Sequence, residues 1–96
     1  MFLKAKILKK RTDIANKNLA VEFWEDFKDK LLEKMKKRAD EGYYSLSIFL
    51  DENEYSLENI WVYDNNKTDK VVYELNRLGY SVSVDRFRGI VRIDWK

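Results

Sequence analysis

The chain of 96 residues contains no cysteine, no histidine and no proline, and only three glycines. Without cysteine the chain can form neither disulfides nor thiolate metal sites, and without histidine it lacks the commonest general base and metal ligand. With so few glycines, a glycine-rich loop that binds phosphate is not expected, and no GxGxxG or GxxxxGK[ST] motif occurs. We therefore expect a protein that is not an enzyme and that binds no cofactor and no metal.

Long hydrophobic runs are also missing, since the apolar stretches are only a few residues long. A membrane-spanning helix needs about 20 consecutive apolar residues, and the lysine-rich start lacks the apolar block of a signal peptide. We expect a cytoplasmic protein. The 45% of hydrophobic and 15% of aromatic residues are enough for one core, which at this length predicts a single domain over residues 1–96.

The net charge of +2 hides an uneven distribution. Residues 1–38 hold twelve basic and six acidic residues, a net charge of +6. Residues 39–66 hold seven acidic residues and no basic residue, a net charge of −7. Residues 67–96 hold seven basic and four acidic residues, a net charge of +3. An acidic middle segment can attract a basic partner or a second copy of the chain, although a solvated acidic loop is the alternative. The acidic residues proposed to contact a partner are Asp51, Glu52, Glu54, Glu58 and Asp64.

The first eleven residues form either a basic strand or a basic tail. Leu3, Ala5 and Ile7 alternate with lysines, which is the pattern of a strand with one buried face. Because the segment is short, a frayed tail remains open.

Helical spacing begins near Thr12 and continues to Glu41. Thr12 or Asp13 is expected to cap the start of this helix and Gly42 to end it. The less apolar segment 16–19 leaves open a break into two helices. The residues that recur every three or four positions are Phe23 or Trp24, Phe27, Leu31 and Met35.

Two further strands and a short helix are expected beyond Gly42. The alternation in "YYSLSIFL", residues 43–50, predicts a strand, which we expect to be the central one. "IWVY", residues 60–63, reads as another strand, with a helical turn starting at Ser56 as the alternative. The spacing after Thr68 predicts a short helix that Gly79 ends.

The last seventeen residues predict a β-hairpin. Tyr80, Val82 and Val84 alternate with polar residues before a turn at Arg88 and Gly89, and alternation resumes through residue 95. We therefore predict an α+β fold: a two-layer sandwich with two helices packed on one face of a mainly antiparallel, three- to five-stranded sheet.

The opposite face of this sheet is the second candidate contact surface. Small hydroxyl side chains lie there between aromatic residues, so the face can receive a partner or a second copy through Phe49. An ordinary solvent-exposed face is the alternative. Tyr43 and Phe49 are the candidate partner-binding residues. The expected members of the face are Tyr43, Ser45, Ser47, Phe49, Ser81, Ser83, Ile90 and Arg92.

Two alternative functions use the basic residues. A small nucleotide signal could be sequestered by Arg86, Arg88 or Arg92, or nucleic acid could be bound by the basic N-terminus and the hairpin, with Phe87 stacking on a base. Nucleic acid is the less favoured partner, because acidic residues interleave along the long helix and the calculated pI is 8.8.

The order of a charged helix ending in "ADEGYYSLSI", a helix ending in "LNRLGYSVSV" and a closing "GIVRIDW" resembles small uncharacterised accessory proteins of bacteriophages and prophages of Gram-positive bacteria. The resemblance covers roughly residues 14–95 and transfers no catalytic or binding residue. It implies a small protein that occupies or inhibits a host macromolecule, such as a defence component, in an infected or lysogenic bacterium. The expected partners are a host protein or a second copy of the chain, most simply as a dimer.

Overall fold

A computed structural model describes residues 3–49 and 61–96 of the chain. Its elements, in chain order, are helix α1 (Ala5–Asp40), strand β1 (Ser45–Phe49), a 3-10 turn (Trp61–Tyr63), helix α2 (Asn65–Arg77) and strands β2 (Ser81–Asp85) and β3 (Ile90–Asp94). The two helices and the three-stranded antiparallel sheet confirm the predicted α+β fold with helices on one face of the sheet.

Helix α1 buries one residue per turn in its second half, where Ala20, Trp24, Phe27, Leu31 and Met35 face the core. It ends at Asp40, and Gly42 follows as the predicted stop, with a φ of +92° that favours glycine. The amides of Gly42 and Tyr43 donate to the carbonyls of Ala39 and Arg38, each at 3.0 Å, which closes the last turn.

The predicted start of α1 is wrong, because the helix begins at Ala5 and not near Thr12. The predicted N-terminal strand over residues 3–7 is therefore wrong as well. Alanine, leucine and lysine favour a helix, and Lys9 and Asp13 form an i,i+4 ion pair at 3.7 Å. The helix also passes residues 16–19 without a break, because a helix that is already nucleated by its packed half propagates at low cost.

The sheet has the order β1-β3-β2, so β3 is the central strand and β1 lies at an edge. The expectation that β1 is central is wrong, since alternation reveals which face of a strand is buried but not how many neighbours it has. The hairpin is confirmed: Val82 pairs with Ile93 and Val84 with Val91 across β2 and β3. Val91 and Ile93 are fully buried.

The residues 61–63 form a 3-10 turn and not the predicted strand. Thr68 donates its hydroxyl to the carbonyls of Trp61 and Val62, each at 3.1 Å, so the start of α2 and not a neighbouring strand satisfies these groups. The alternative helical turn at Ser56 lies outside the described residues. Trp61 and Val62 are nevertheless core residues, with 1% and 0% of their surface exposed.

Helix α2 begins earlier than predicted, at Asn65, and ends at Arg77, shortly before the predicted stop Gly79. Gly79 has a φ of +97°, and the amide of Tyr80 closes the turn by donating to the carbonyl of Leu75 at 3.0 Å. Val71 and Leu75 of α2 join the buried face of α1 and the inner face of the sheet in one hydrophobic core. No helix in the described ranges is long and apolar enough to cross a membrane.

Candidate binding surfaces

The first half of α1 extends beyond the rest of the domain. Ala20 is its first buried residue, and every side chain of residues 3–19 is exposed except that of the half-buried Asn16. These residues are termed the N-terminal arm. At about 1.5 Å per residue, the helical part of the arm reaches roughly 22 Å, which is about a third of the 62 Å long axis of the protein.

The N-terminal arm is strongly cationic. It carries five lysines and one arginine, and Asp13 is its only acidic residue. Lys6, Lys10 and Lys17 are four and seven positions apart, which places them on one face of the helix. The positive end of the helix dipole lies at the same end and adds to this potential. The arm can therefore hold an anionic partner along its length.

The tip of the hairpin lies at the same end of the domain as the base of the arm. Arg86 donates from Nε to the carbonyl of Val62 at 2.7 Å. The adjacent Trp61 packs against α1, with its ring centroid 6.2 Å from that of Phe23. Next to Arg86, the ring of Phe87 is 99% exposed. The arm and an exposed aromatic residue beside two arginines thus belong to one end of the molecule.

The arginines that were candidates for a nucleotide pocket each contact a different group of the protein. Arg86 is held by the 3-10 turn, whereas the Nε of Arg88 lies 3.8 Å from a carboxylate oxygen of Asp85. Arg92 lies on the open sheet face and donates to Asp94 at 3.1 Å. This hydrogen bond holds the pKa of the Arg92 guanidinium above its ordinary value. The described residues therefore give little support to a shared anion pocket.

The open sheet face has the polar character that the sequence predicts. Ser47, Arg92 and Ser83 lie side by side across the three strands. The next row places Phe49, which is 73% exposed, beside the half-buried Ile90. This single apolar corner makes the face a limited candidate for a protein contact.

Tyr43 is placed at the end of α1 and not on the paired part of the sheet. The guanidinium carbon of Arg38 lies 3.7 Å from the centroid of its ring, in a cation–π contact. Arg38 also donates to the carbonyl of Ser45 at 3.3 Å. The Tyr43 side chain thus contributes to the junction between helix and strand.

Among the acidic candidates, Asp51, Glu52, Glu54 and Glu58 lie outside the described residues. Asp64 caps helix α2: its carboxylate accepts hydrogen bonds from the amides of Asn66 at 3.0 Å and Lys67 at 3.2 Å. The sequence pattern did not predict this role, because the predicted helix started at Thr68. An aspartate directly before the first helical residue was the signal that could have revealed it.

A groove of about 320 Å³ runs along α1 next to the base of the arm. Leu19, Phe23 and Phe27 provide its apolar part. Two acidic and two basic residues line it as well: Glu22, Asp26, Lys30 and Lys67. The Phe23 and Phe27 rings are stacked with their centroids 5.0 Å apart. The groove thus offers an apolar surface bordered by charges of both signs, on the helix that carries the basic arm.

A metal centre finds no support in the described parts of the chain. Residues 3–49 and 61–96 contain no group of three or more acidic side chains placed to hold a metal ion. Comparison with known proteins adds no assignment, since no family model, no curated protein and no solved structure matches the chain.

Proposed function

We propose that this chain is a non-enzymatic protein that acts by occupying an anionic macromolecule, and that the N-terminal arm is its contact surface. The observation that carries this proposal is the arm itself: a helix that projects from the domain with six cationic residues and one acidic residue. A helix holds these charges at fixed spacing over roughly 22 Å. Such an array attracts polyanions and accelerates their association.

Among anionic macromolecules, the geometry favours a nucleic acid. The hairpin tip lies at the end of the domain from which the arm projects, and it adds the exposed Phe87 between Arg86 and Arg88. Aromatic residues of this kind stack on unpaired bases while cations contact the phosphates. Occupation of a host protein through the acidic segment and the open sheet face has less support, because Asp64 serves as a helix cap and Tyr43 packs on Arg38.

The resemblance to phage accessory proteins suggests where this binding takes place. It makes the protein an accessory factor in the cytoplasm of an infected or lysogenic bacterium, where occupying a nucleic acid blocks the host factors that need it. A role against a host defence system stays a prediction of that resemblance. Sequestration of a small nucleotide is the least supported alternative, because Arg86, Arg88 and Arg92 each contact a different group of the protein itself: the Val62 carbonyl, Asp85 and Asp94.

Two triple variants of equal charge test the proposal. The arm variant replaces Lys6, Lys10 and Lys17 with glutamine. The control replaces Lys34, Lys36 and Lys37 with glutamine as well; these three lysines are exposed on the packed half of α1. Both lose three positive charges, so they differ only in where those charges lie.

Binding is measured by fluorescence anisotropy with labelled duplex and single-stranded DNA and RNA at several salt concentrations. The arm variant should weaken binding and lower the slope of log K against log salt by up to about three, one for each lost phosphate contact. The control should keep the wild-type slope. Equal losses in both variants, or no wild-type binding to any of these probes at low salt, would contradict the proposal.

A further inference from the structure

A cleft lies between the base of the N-terminal arm and helix α2, apart from the surfaces described above. Its volume is about 360 Å³, which falls within the range of roughly 300–1,000 Å³ that is usual for small-molecule sites. Lys17, Ala20 and Val21 of α1 line one side of it. The other side is one face of α2, whose residues recur at intervals of three and four positions: Asn66, Asp69, Lys70 and Tyr73.

The cleft continues the cationic face of the arm. Lys6, Lys10 and Lys17 share that face, and Lys17, the last of the three, borders the cleft. A nucleic acid whose phosphates lie along these lysines therefore has part of its chain beside the cleft.

The residues of the cleft suit a base better than a phosphate. The ring of Tyr73 is 62% exposed, so a flat base can stack on it. Lys70 lies 6.0 Å from the centroid of that ring, but its ammonium group donates to Glu74 at 2.8 Å, which reduces its attraction for phosphate. Asn66 and Asp69 add an amide and a carboxylate, whose oxygens accept hydrogen bonds from the amino groups of bases.

We propose that the cleft binds one unpaired base of a single-stranded nucleic acid, stacked on Tyr73, while Lys17 and the lysines before it contact the adjoining phosphates. This inference rests on the proposed function and specifies its substrate class. In a duplex the bases are paired and stacked on one another, so none of them reaches the cleft unless it is first extruded. The cleft does not include the hairpin tip, so its contribution can be measured with Phe87 in place.

Other occupants fit the cleft less well. An apolar side chain of a protein partner would cover Asn66 and Asp69 without giving them hydrogen-bond partners, which is costly. A free phosphate would lie beside the carboxylate of Asp69, which repels it. A base avoids both costs, because its edge donates hydrogen bonds and its phosphate stays outside the cleft, at Lys17.

Three substitutions test the inference. Tyr73→Ala removes the aromatic ring, and Tyr73→Phe keeps it. Tyr44→Ala is the matched control: the ring of Tyr44 is also 62% exposed, and Lys96 lies 5.8 Å from its centroid, but Tyr44 follows the opposite end of α1. Tyr73 and Tyr44 are both exposed and lie outside the core, so all three variants should keep the wild-type thermal transition.

Fluorescence anisotropy compares three labelled probes of equal length at one salt concentration: a single-stranded oligonucleotide, a duplex, and a single strand in which every nucleotide is abasic. Tyr73→Ala should weaken binding of the single-stranded oligonucleotide about fivefold or more, as expected for the loss of one stacked base. It should leave the affinities for the duplex and the abasic strand unchanged, since neither offers an unpaired base. Tyr73→Phe and Tyr44→Ala should bind all three probes as the wild type does.

The possible failures separate this inference from the proposed function. If Tyr73→Ala binds the single strand as tightly as the wild type does, or loses affinity equally for all three probes, the inference is overturned and the proposed function stands. The same holds if Tyr44→Ala loses as much single-strand affinity as Tyr73→Ala. A wild type that binds none of the probes would contradict the proposed function itself, and the inference with it.

Discussion

Removal of residues 90–96 should unfold the domain and not merely shorten it. These residues contain β3, which lies between β1 and β2 in the sheet and pairs with both. Val91 and Ile93 within it are fully buried, and burial of each such side chain contributes about 1.5–3 kcal/mol. Together they represent roughly 3–6 kcal/mol, against a total stability of about 5–15 kcal/mol for a typical domain. The hydrogen bonds of two strand pairs are lost in addition.

Thermal unfolding followed by circular dichroism measures this effect. Each kcal/mol shifts the Tm of a domain of this size by about 4–8 °C, so the truncated chain should show no cooperative transition above ambient temperature. A matched control lacks an equal number of residues, 1–7, of which residues 3–7 belong to the exposed arm, and should melt as the wild type does. A truncated chain that still melts cooperatively within a few degrees of the wild type would refute the reasoning.

Three further substitutions test the elements that position the helices. Asp64→Ala removes the N-cap of α2 and should cost about 1 kcal/mol in urea unfolding, whereas Asp69→Ala, exposed on the same helix, should cost less than about 0.5 kcal/mol. Gly79→Ala forces a side chain into a φ of +97° and should destabilise by roughly 1–2 kcal/mol. The pKa of Glu74 is lowered from 4.5 by hydrogen bonds from Lys70 and Arg77, so its ionised form stabilises the fold above that pH. The wild type should therefore be more stable than Glu74→Gln at neutral pH, and this difference in stability should disappear as the pH falls below 4.5 through the pKa of Glu74 in the folded state. A difference in stability that stays constant with pH would contradict this role of Glu74.

The parts of the fold that were predictable are those that local chemistry determines. The three- and four-residue spacing from Trp24 to Met35 indicates which face of α1 is buried, because only that face carries large apolar residues. Gly42 and Gly79 mark the helix ends because both adopt positive φ. The alternation of apolar and polar residues on either side of the turn before Ile90 predicts the hairpin, because each of its two strands buries one face.

The wrong predictions concern features that depend on distant parts of the chain. Alternation over Leu3, Ala5 and Ile7 suggests a strand, but no sheet edge takes it up and the helix nucleated further along extends through it. Trp61 is a core residue because the rings of Phe23 and Phe27 lie close to it, which no local pattern reveals. The sequence pattern therefore predicted a basic strand or tail for the first eleven residues, and the structure shows that they belong to a helix from Ala5 onward.

Deletion of residues 1–17 tests most directly whether the N-terminal arm is a binding element that the fold does not need. All core residues of α1 begin at Ala20, so the shortened chain should keep the cooperative thermal transition of the wild type. It should at the same time lose nucleic-acid binding in the anisotropy assay. A shortened chain that unfolds, or one that binds nucleic acid as tightly as the wild type, would contradict the account.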